Sequence, residues 1–169
     1  MNIKDIKAIV TGGSSGIGFE IASQLKIQGA QVLITGRDEA KLKKAAKQID
    51  VFYAVADASV EAQVIKAFEY AKSVMNGYNV LINNAAYGSS ALLKDQDTKV
   101  FEQLLATNVT GAMIAGREAA KHFIENNFGN IINISSTAGN AGFVGGTAYV
   151  ASKFALKGMT ECWRAELRK

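Results

Sequence analysis

The sequence predicts a doubly wound α/β fold, in which helices cover both faces of a parallel sheet. Short apolar runs, such as residues 32–34 and 80–82, are typical of strands that are buried on both faces. These runs alternate along the chain with longer segments whose apolar residues recur at helical spacing. A glycine-rich segment, residues 11–18, connects the first run directly to the first helical segment. Strands that alternate with helices in this way favour a parallel sheet with right-handed crossovers.

The first half of the chain is predicted to contain three strands, each followed by a helix. The strands are assigned to residues 6–10, 32–34 and 51–56. The first helix begins near Gly16, because apolar residues recur every three or four positions after it. Asp38 and Ser59 are of the residue types that cap helix N-termini, so we expect them to begin the second and third helices.

The second half is predicted to add two strands and two helical segments. The strands are residues 80–82 and 131–134, and a long helical stretch between them, residues 95–126, is expected to break near Asn108. A glycine-rich loop, residues 137–146, then leads into a final helix. In the doubly wound order 3-2-1-4-5 of a Rossmann-like sheet, ligands bind beyond the carboxyl ends of the strands where the order reverses. That crevice brings the glycine-rich loop beside Asn83 and Asn84.

Composition excludes several classes of protein. Residues 1–169 are interpreted as a single domain, with 49% hydrophobic residues and no run long enough to span a membrane. The absence of an apolar leader and the single cysteine fit a reducing cytoplasm. One cysteine and one histidine exclude a Cys/His zinc site, and no metal is expected. Much of the net charge of +4 lies on one lysine-rich helix, which is typical of a solvated face rather than of nucleic-acid binding.

The glycine-rich loop predicts an anion site. Unpaired N–H groups and the helix dipole place partial positive charge at a helix N-terminus, and glycines let the backbone approach a pyrophosphate. The spacing of Gly12, Gly16 and Gly18 differs from the common dinucleotide-binding pattern. The alternative is a glycine-rich loop that only turns the chain.

Tyr149 and Lys153 are the strongest candidates for catalytic residues. They are four positions apart on a predicted helix, so they share a face. A nearby ammonium favours the phenolate form of a tyrosine, which can then exchange a proton with a substrate oxygen. Ser135 and Ser136 follow the fifth predicted strand, where a hydroxyl can donate to a carbonyl oxygen. The alternatives are an ordinary helix pair for Tyr149 and Lys153, and turn or cap roles for the two serines.

Six short motifs lie either in the loops that connect the predicted strands and helices or on one face of the last predicted helix. They are Thr-Gly-Gly-Ser-Ser-Gly-Ile-Gly at residues 11–18, Asp57, Asn-Asn-Ala-Ala at residues 83–86, Asn108, Asn-Ile-Ser-Ser-Thr-Ala-Gly at residues 133–139, and Tyr149-x-x-x-Lys153. Together they resemble the short-chain dehydrogenase/reductase family, in the family's order and over almost the whole chain. Ala86 stands where the family has glycine, and we expect this difference to alter only a backbone preference.

The resemblance implies hydride transfer between a nicotinamide and a carbonyl or alcohol carbon of a small molecule. Tyr149 is then the general acid in reduction and the general base in oxidation, and Lys153 supports it and holds the nicotinamide ribose. Ser136 positions the substrate oxygen. Asn108 supports a water molecule that relays protons to Lys153. These four residues are the expected catalytic set.

The resemblance also implies a set of residues that bind the cofactor. They are Gly12, Ser14, Ser15, Gly16, Ile17, Gly18, Arg37, Asp57, Ala58, Asn84, Ala85, Ala86, Tyr149 and Lys153. In NAD-binding relatives an acidic residue ends the second strand, but here Gly36 holds that place and Arg37 follows it. We therefore expect a preference for NADP(H), with NAD(H) possible. Asp38 is the competing signal and is interpreted as a helix cap.

Two function hypotheses remain open at this point. The first is an NADP(H)-dependent carbonyl reductase or alcohol dehydrogenase, with an uncharged substrate because the predicted lining loops lack charge. The second is a dinucleotide-binding module that does not turn over and serves as a sensor or an assembly subunit. The resemblance implies further strands after Lys169, so the chain is interpreted as part of a longer enzyme. It also implies a homodimer or homotetramer. Alone, the chain is expected to bind NADPH, turn over poorly and self-associate through its fifth strand.

Overall fold

The computed structural model describes residues 2–168 and confirms the predicted fold class. Five parallel strands form one sheet in the order β3-β2-β1-β4-β5, which is the predicted order. The strands are β1 Lys7–Val10, β2 Gln31–Gly36, β3 Phe52–Val55, β4 Val80–Asn83 and β5 Asn130–Asn133. The order reverses between β1 and β4, so the crevice between these two strands lies at the expected place.

Six α-helices connect or follow the strands. They are α1 Gly16–Ile27, α2 Glu39–Ile49, α3 Glu61–Val74, α4 Thr98–Leu105, α5 Ala112–Asn126 and α6 Thr147–Leu167. A wider π-helical turn, Ala106–Gly111, separates α4 from α5, which confirms the predicted break near Asn108. The helical stretch begins later than expected, because a short 3₁₀ turn, Leu93–Asp95, precedes Asp97, whose side chain caps α4.

The two predicted helix caps have different outcomes. Asp38 accepts a hydrogen bond from the Lys41 N–H at 3.0 Å and caps α2, as predicted. The prediction for Ser59 is wrong, because Val60 occupies the cap position of α3 and provides no side-chain hydrogen bond. Ser59 instead directs both its N–H and its hydroxyl to Asp57 Oδ1, at 2.9 and 2.7 Å. The Asp57 carboxylate thus holds Ser59 by a charge-assisted hydrogen bond.

The core consists of two layers, one on each face of the sheet. Along β1, Ile9 packs with the cluster beneath α3 and α5, whereas Ala8 and Val10 pack with the cluster beneath α1 and α2. All three residues are fully buried, because successive side chains of a strand point to opposite faces and helices cover both. This packing fixes the positions of the strands relative to one another. Their carboxyl ends, and the loops that follow them, therefore lie at one edge of the sheet.

The strand β5 lies at one end of the sheet order and pairs with β4. Its Ile132 side chain is 47% exposed. Beside it, a cleft of about 480 Å³ is lined by residues of α5, β5, α6 and the loop between α5 and β5, including Phe128 of that loop and Trp163 of α6. Within residues 2–168, no helix combines the length and the apolar character needed to cross a bilayer.

Candidate cofactor and catalytic site

The loop after β1 is held against the loop after β4 by one buried threonine. Thr11 Oγ1 accepts hydrogen bonds from the N–H groups of Asn84 and Ala85, each at 3.0 Å. The Thr11 N–H donates to the Ile82 carbonyl at 3.0 Å and continues the β1–β4 pairing. The glycine-rich loop and the Asn-Asn-Ala-Ala segment therefore face one crevice, as the sheet order predicts.

Asn84 completes this connection and requires a glycine opposite it. Its Nδ2 donates to the carbonyl oxygens of Thr11 and Gly12, at 3.0 and 3.1 Å. A Cβ atom on Gly18 would lie 2.5 Å from the Gly12 carbonyl oxygen and closer still to the Asn84 amide. Gly12 has a φ of +66°, a backbone conformation that favours glycine. The close approach of α1 to the β4 loop thus depends on the absence of side chains at both glycines.

The outer part of the crevice contains most of the predicted cofactor residues. A cleft of about 270 Å³ is lined by Gly12, Ser14, Ser15, Arg37, Asp57, Ala58, Ala85 and Ala86, together with Asp38 and Lys41. The Ser59 hydroxyl lowers the pKa of Asp57, and the positive charge of Arg37 acts in the same direction. Two carboxylates, Asp38 and Asp57, and two cationic side chains, Arg37 and Lys41, therefore line this part of the cleft.

The inner part of the crevice contains the predicted catalytic pair. A second cleft of about 280 Å³ is lined by Tyr149, Lys153, Ile17, Asn84 and Ser135, and it shares Gly12, Ser15, Ala85 and Ala86 with the first. The two clefts therefore adjoin along the glycine-rich loop. Gly16 and Gly18 belong to the first turn of α1, and neither of them lines either cleft.

Tyr149 and Lys153 lie on one face of α6, as their spacing predicts. Lys153 Nζ is 5.7 Å from the centroid of the Tyr149 ring and donates to the Ile134 carbonyl at 2.7 Å. Only 3% of Lys153 is exposed, and this burial lowers the pKa of its ammonium. The hydrogen bond ties α6 to the residue that follows β5, so the lysine is fixed at the carboxyl edge of the sheet.

Ser136 occupies a different position from its neighbour Ser135. Ser136 Oγ accepts the N–H of Ala138 at 3.2 Å and caps the 3₁₀ turn Thr137–Gly139. This is the cap role considered as the alternative in the sequence analysis. Ser135, not Ser136, lines the cleft that contains Tyr149. The substrate-positioning role of Ser136 therefore stays a prediction.

Asn108 lies in the π-helical turn and connects the β4 loop to α6. Its Oδ1 accepts from the Tyr87 N–H at 3.0 Å, and its Nδ2 donates to the Tyr87 carbonyl at 2.8 Å. The same Nδ2 donates to Ser152 Oγ at 3.1 Å. Both N–H bonds of the Asn108 amide thus engage protein groups. The role of Asn108 in supporting a water molecule stays a prediction.

Ser152 is a residue that the sequence analysis missed. It is fully buried, and its hydroxyl donates to the Tyr149 carbonyl at 2.7 Å while it accepts from Asn108. The chain of contacts runs from Tyr87, in the loop after β4, through Asn108 and Ser152 to the backbone of Tyr149. Its only signal in the sequence is a small polar residue next to Lys153 within the helix.

A glycine-rich strand–helix connection, a doubly wound sheet and a Tyr–Lys pair at the carboxyl edge define the class of dinucleotide-binding oxidoreductase folds. The model of the family described as "short chain dehydrogenase" matches residues 7–169. The chain therefore belongs to the short-chain dehydrogenase family.

Individual relatives agree with this assignment. An uncharacterised oxidoreductase of Staphylococcus saprophyticus is 31% identical over 100% of this chain and 75% of its own length. The 3-ketodihydrosphingosine reductase of Bos taurus is 34% identical over 95% of this chain and 51% of its own length. A crystal structure of a short chain dehydrogenase from Bacillus anthracis superimposes with a TM-score of 0.93, at 28% identity, over 97% of this chain and 70% of that one. The chain thus spans between about half and three quarters of the relatives that it matches.

Proposed function

We propose that this chain forms the dinucleotide-binding and catalytic domain of an NADP(H)-dependent oxidoreductase. Its reaction is hydride transfer between nicotinamide and the carbonyl or alcohol carbon of a small molecule. The observation that carries the proposal is that Tyr149 and Lys153 line the same cleft as Ser15, Ile17 and Ala85. A proton-exchanging group thus lies beside the loop that is built to hold a dinucleotide.

The residues present fit a bound dinucleotide. Gly16 has a φ of +55°, and a Cβ built on it meets no atom within 4 Å, so the first turn of α1 is open. A Cβ on Gly12 would lie 2.9 Å from Ala85 Cα, so only glycine gives this narrow crevice. The N–H groups at the start of α1 would hold the pyrophosphate, and Asp57 with Ala58 would face the adenosine.

The protein residues would act on a proton while the bound cofactor supplies or accepts the hydride. In reduction, the Tyr149 hydroxyl donates its proton to the substrate oxygen as the carbon is reduced, and in oxidation it accepts one. The Lys153 ammonium, held by the Ile134 carbonyl, would support Tyr149 and hold the ribose hydroxyls. Ser136 would orient the substrate oxygen. Asn108 and Ser152 would fix the backbone of Tyr149, so that its hydroxyl meets the substrate reproducibly.

A preference for NADP(H) follows from the charges at the end of β2. Gly36 ends the strand, and Arg37 lines the outer cleft together with Lys41. Asp38, the acidic residue that would favour NAD(H), already interacts with protein groups. It caps α2, and its carboxylate lies 3.4 Å from the Lys41 ammonium. Its use as a cap leaves Arg37 as the group suited to a 2′-phosphate. Binding of NAD(H) stays possible, with lower affinity.

The Arg37→Ala variant tests this preference. Loss of a charge-assisted hydrogen bond worth about 1.5–3 kcal/mol should lower the affinity for NADPH roughly ten- to hundredfold and leave NADH binding unchanged. Fluorescence titration with both reduced cofactors measures the effect. The matched control is Lys43→Ala, which removes an exposed cation of α2 that does not line the cleft. NADH that binds the unaltered protein as tightly as NADPH would overturn the preference.

The catalytic proposal itself is tested by oxidation of NADPH in the presence of a panel of ketones. Hydride transfer supports the enzyme. Tight NADPH binding without transfer to any ketone supports the alternative, a dinucleotide-binding module that acts as a sensor or an assembly subunit. A cytoplasmic location is part of the proposal and rests on the single cysteine, Cys162, which is exposed and free.

We further propose a homodimer or homotetramer for the whole enzyme. The 169-residue polypeptide by itself is expected to self-associate through β5, the end strand of its sheet. Unpaired strand edges with apolar side chains promote association. Light scattering should give a multiple of 18.0 kDa, and Ile132→Lys should shift the mass toward a single chain. The control is Phe52→Lys on β3, the strand at the opposite end of the sheet, where Phe52 is 39% exposed. A monomeric unaltered chain, or equal effects of the two variants, would contradict this contact.

A further inference from the structure

Two loops at the carboxyl edge of the sheet run side by side. One follows β4 and the other follows β5. The Ala91 N–H donates to the Gly145 carbonyl at 3.1 Å. A Cβ on Gly145 would lie 2.7 Å from Ser90 Oγ and 3.7 Å from the Ala91 backbone nitrogen. Residues 84–93 and 134–146 therefore form a continuous backbone surface.

This surface exposes four large apolar side chains, which we call the apolar rim. They are Leu92, Leu93, Phe143 and Val144, with 48%, 80%, 57% and 86% of each residue exposed. Neither loop, over residues 84–93 and 134–146, contains a charged residue. The four side chains lie on two loops joined by the hydrogen bond from Ala91 to Gly145, and exposed apolar side chains grouped in this way are typical of a site that binds an apolar partner.

The two loops that carry the apolar rim also contact Tyr149 and the start of α6. A Cβ on Gly88 would lie 3.6 Å from Cδ2 of the Tyr149 ring, so the loop after β4 passes along that ring. Phe143 packs against Gly146, the residue that immediately precedes α6, and a Cβ on that glycine would lie 2.7 Å from Phe143 Cε2. The rim therefore extends outward from the position where the Tyr149 hydroxyl would meet a substrate oxygen.

We propose that the substrate is a ketone, or the matching secondary alcohol, that carries a long aliphatic chain. The carbonyl lies at Tyr149 and the chain lies along the apolar rim, which excludes water from its methylenes. This inference rests on the proposed oxidoreductase function and specifies its substrate class. Charged substituents on the chain are disfavoured, because residues 84–93 and 134–146 carry no charge and the adjacent Lys94 is paired with Asp95.

The test compares the kcat/KM values of 2-alkanones of increasing length with NADPH. Each methylene buried on the rim should raise kcat/KM about three- to fourfold until the rim is covered. Keto acids of the same length, with a terminal carboxylate, should show no such rise. Calorimetric binding of the same ketones to the complex of the protein with NADP⁺ gives a second readout that needs no turnover.

Variants of the rim make the test specific. Leu93→Asp and Val144→Asp should flatten the dependence of kcat/KM on chain length. Both side chains are mostly exposed, so the fold should tolerate the changes, which circular dichroism checks. The control is Ile27→Asp, also on an exposed residue, at the end of α1 that faces away from the carboxyl edge.

The outcomes separate the two proposals. Turnover that does not depend on chain length overturns the substrate class and leaves the oxidoreductase function standing. NADPH binding without turnover of any ketone overturns the function. The dependence of the calorimetric ketone affinity on chain length then tests separately whether the rim binds the aliphatic chain. Absence of length-dependent binding in that experiment overturns the inference. Sedimentation with phosphatidylcholine vesicles that requires Leu93 and Val144 also overturns it, since the rim would then bind a lipid surface.

Discussion

Tyr149→Phe is expected to abolish hydride transfer while the affinity for NADPH stays nearly unchanged. The substitution removes only the hydroxyl that exchanges a proton with the substrate oxygen, and general acid–base catalysis is worth about 10²–10⁴-fold in rate. The ring itself remains, so the packing beside Gly88 and near the Lys153 ammonium is preserved. Stopped-flow or steady-state oxidation of NADPH measures the rate, and fluorescence titration measures the affinity.

Two companion variants identify the cause of the loss. Lys153→Met should lower both the rate and the NADPH affinity, because this ammonium is proposed to hold the cofactor ribose as well as to support Tyr149. Tyr70→Phe, on the exposed face of α3, is the matched control and should change neither quantity. A Tyr149→Phe protein that retained most of its rate would place the proton donor elsewhere.

Gly18→Ala is expected to destroy the cofactor site with a single methyl group. The new Cβ would meet the Gly12 carbonyl oxygen at 2.5 Å, and it would displace the Asn84 amide that bonds to the Thr11 and Gly12 carbonyls. Forcing an atom into a packed site costs about 1–3 kcal/mol of stability. Since the glycine-rich loop itself must move, NADPH affinity should fall by more than about tenfold, equivalent to about 1.4 kcal/mol.

The control for this variant is another helical glycine. A Cβ on Gly158, in α6, meets no atom within 4 Å, so Gly158→Ala should leave cofactor binding intact and raise the free energy of unfolding by up to about 1 kcal/mol. Thermal unfolding and NADPH titration of both variants make the comparison. Unchanged NADPH affinity in Gly18→Ala would show that the loop can relax around the methyl group, and that the tight contact with Asn84 is dispensable.

The sequence by itself determined the architecture and the general location of the site. Buried strands leave apolar runs, helices leave a 3.6-residue period, and their alternation permits few topologies. The sheet order then placed the glycine-rich loop beside Asn84 without any knowledge of side-chain contacts. The spacing of Tyr149 and Lys153 placed them on one face of α6, because that relation is set by helix geometry alone.

Only the tertiary structure decided which partner each polar side chain takes. Ser59 has the residue type of a helix cap, but its N–H and its hydroxyl both donate to the carboxylate of Asp57. The motif selects Ser136 as the residue that positions the substrate, whereas in the structure Ser135 lines the cleft and Ser136 caps a turn.

The link from Asn108 to Ser152 illustrates the physical reason. These residues are 44 positions apart in sequence, and their hydrogen bond exists because α6 packs against the π-helical turn. Periodicity reports which side of an element is buried, but it carries no information about which buried donor meets which acceptor. That choice depends on distances of a few tenths of an ångström, which are set when the elements pack together.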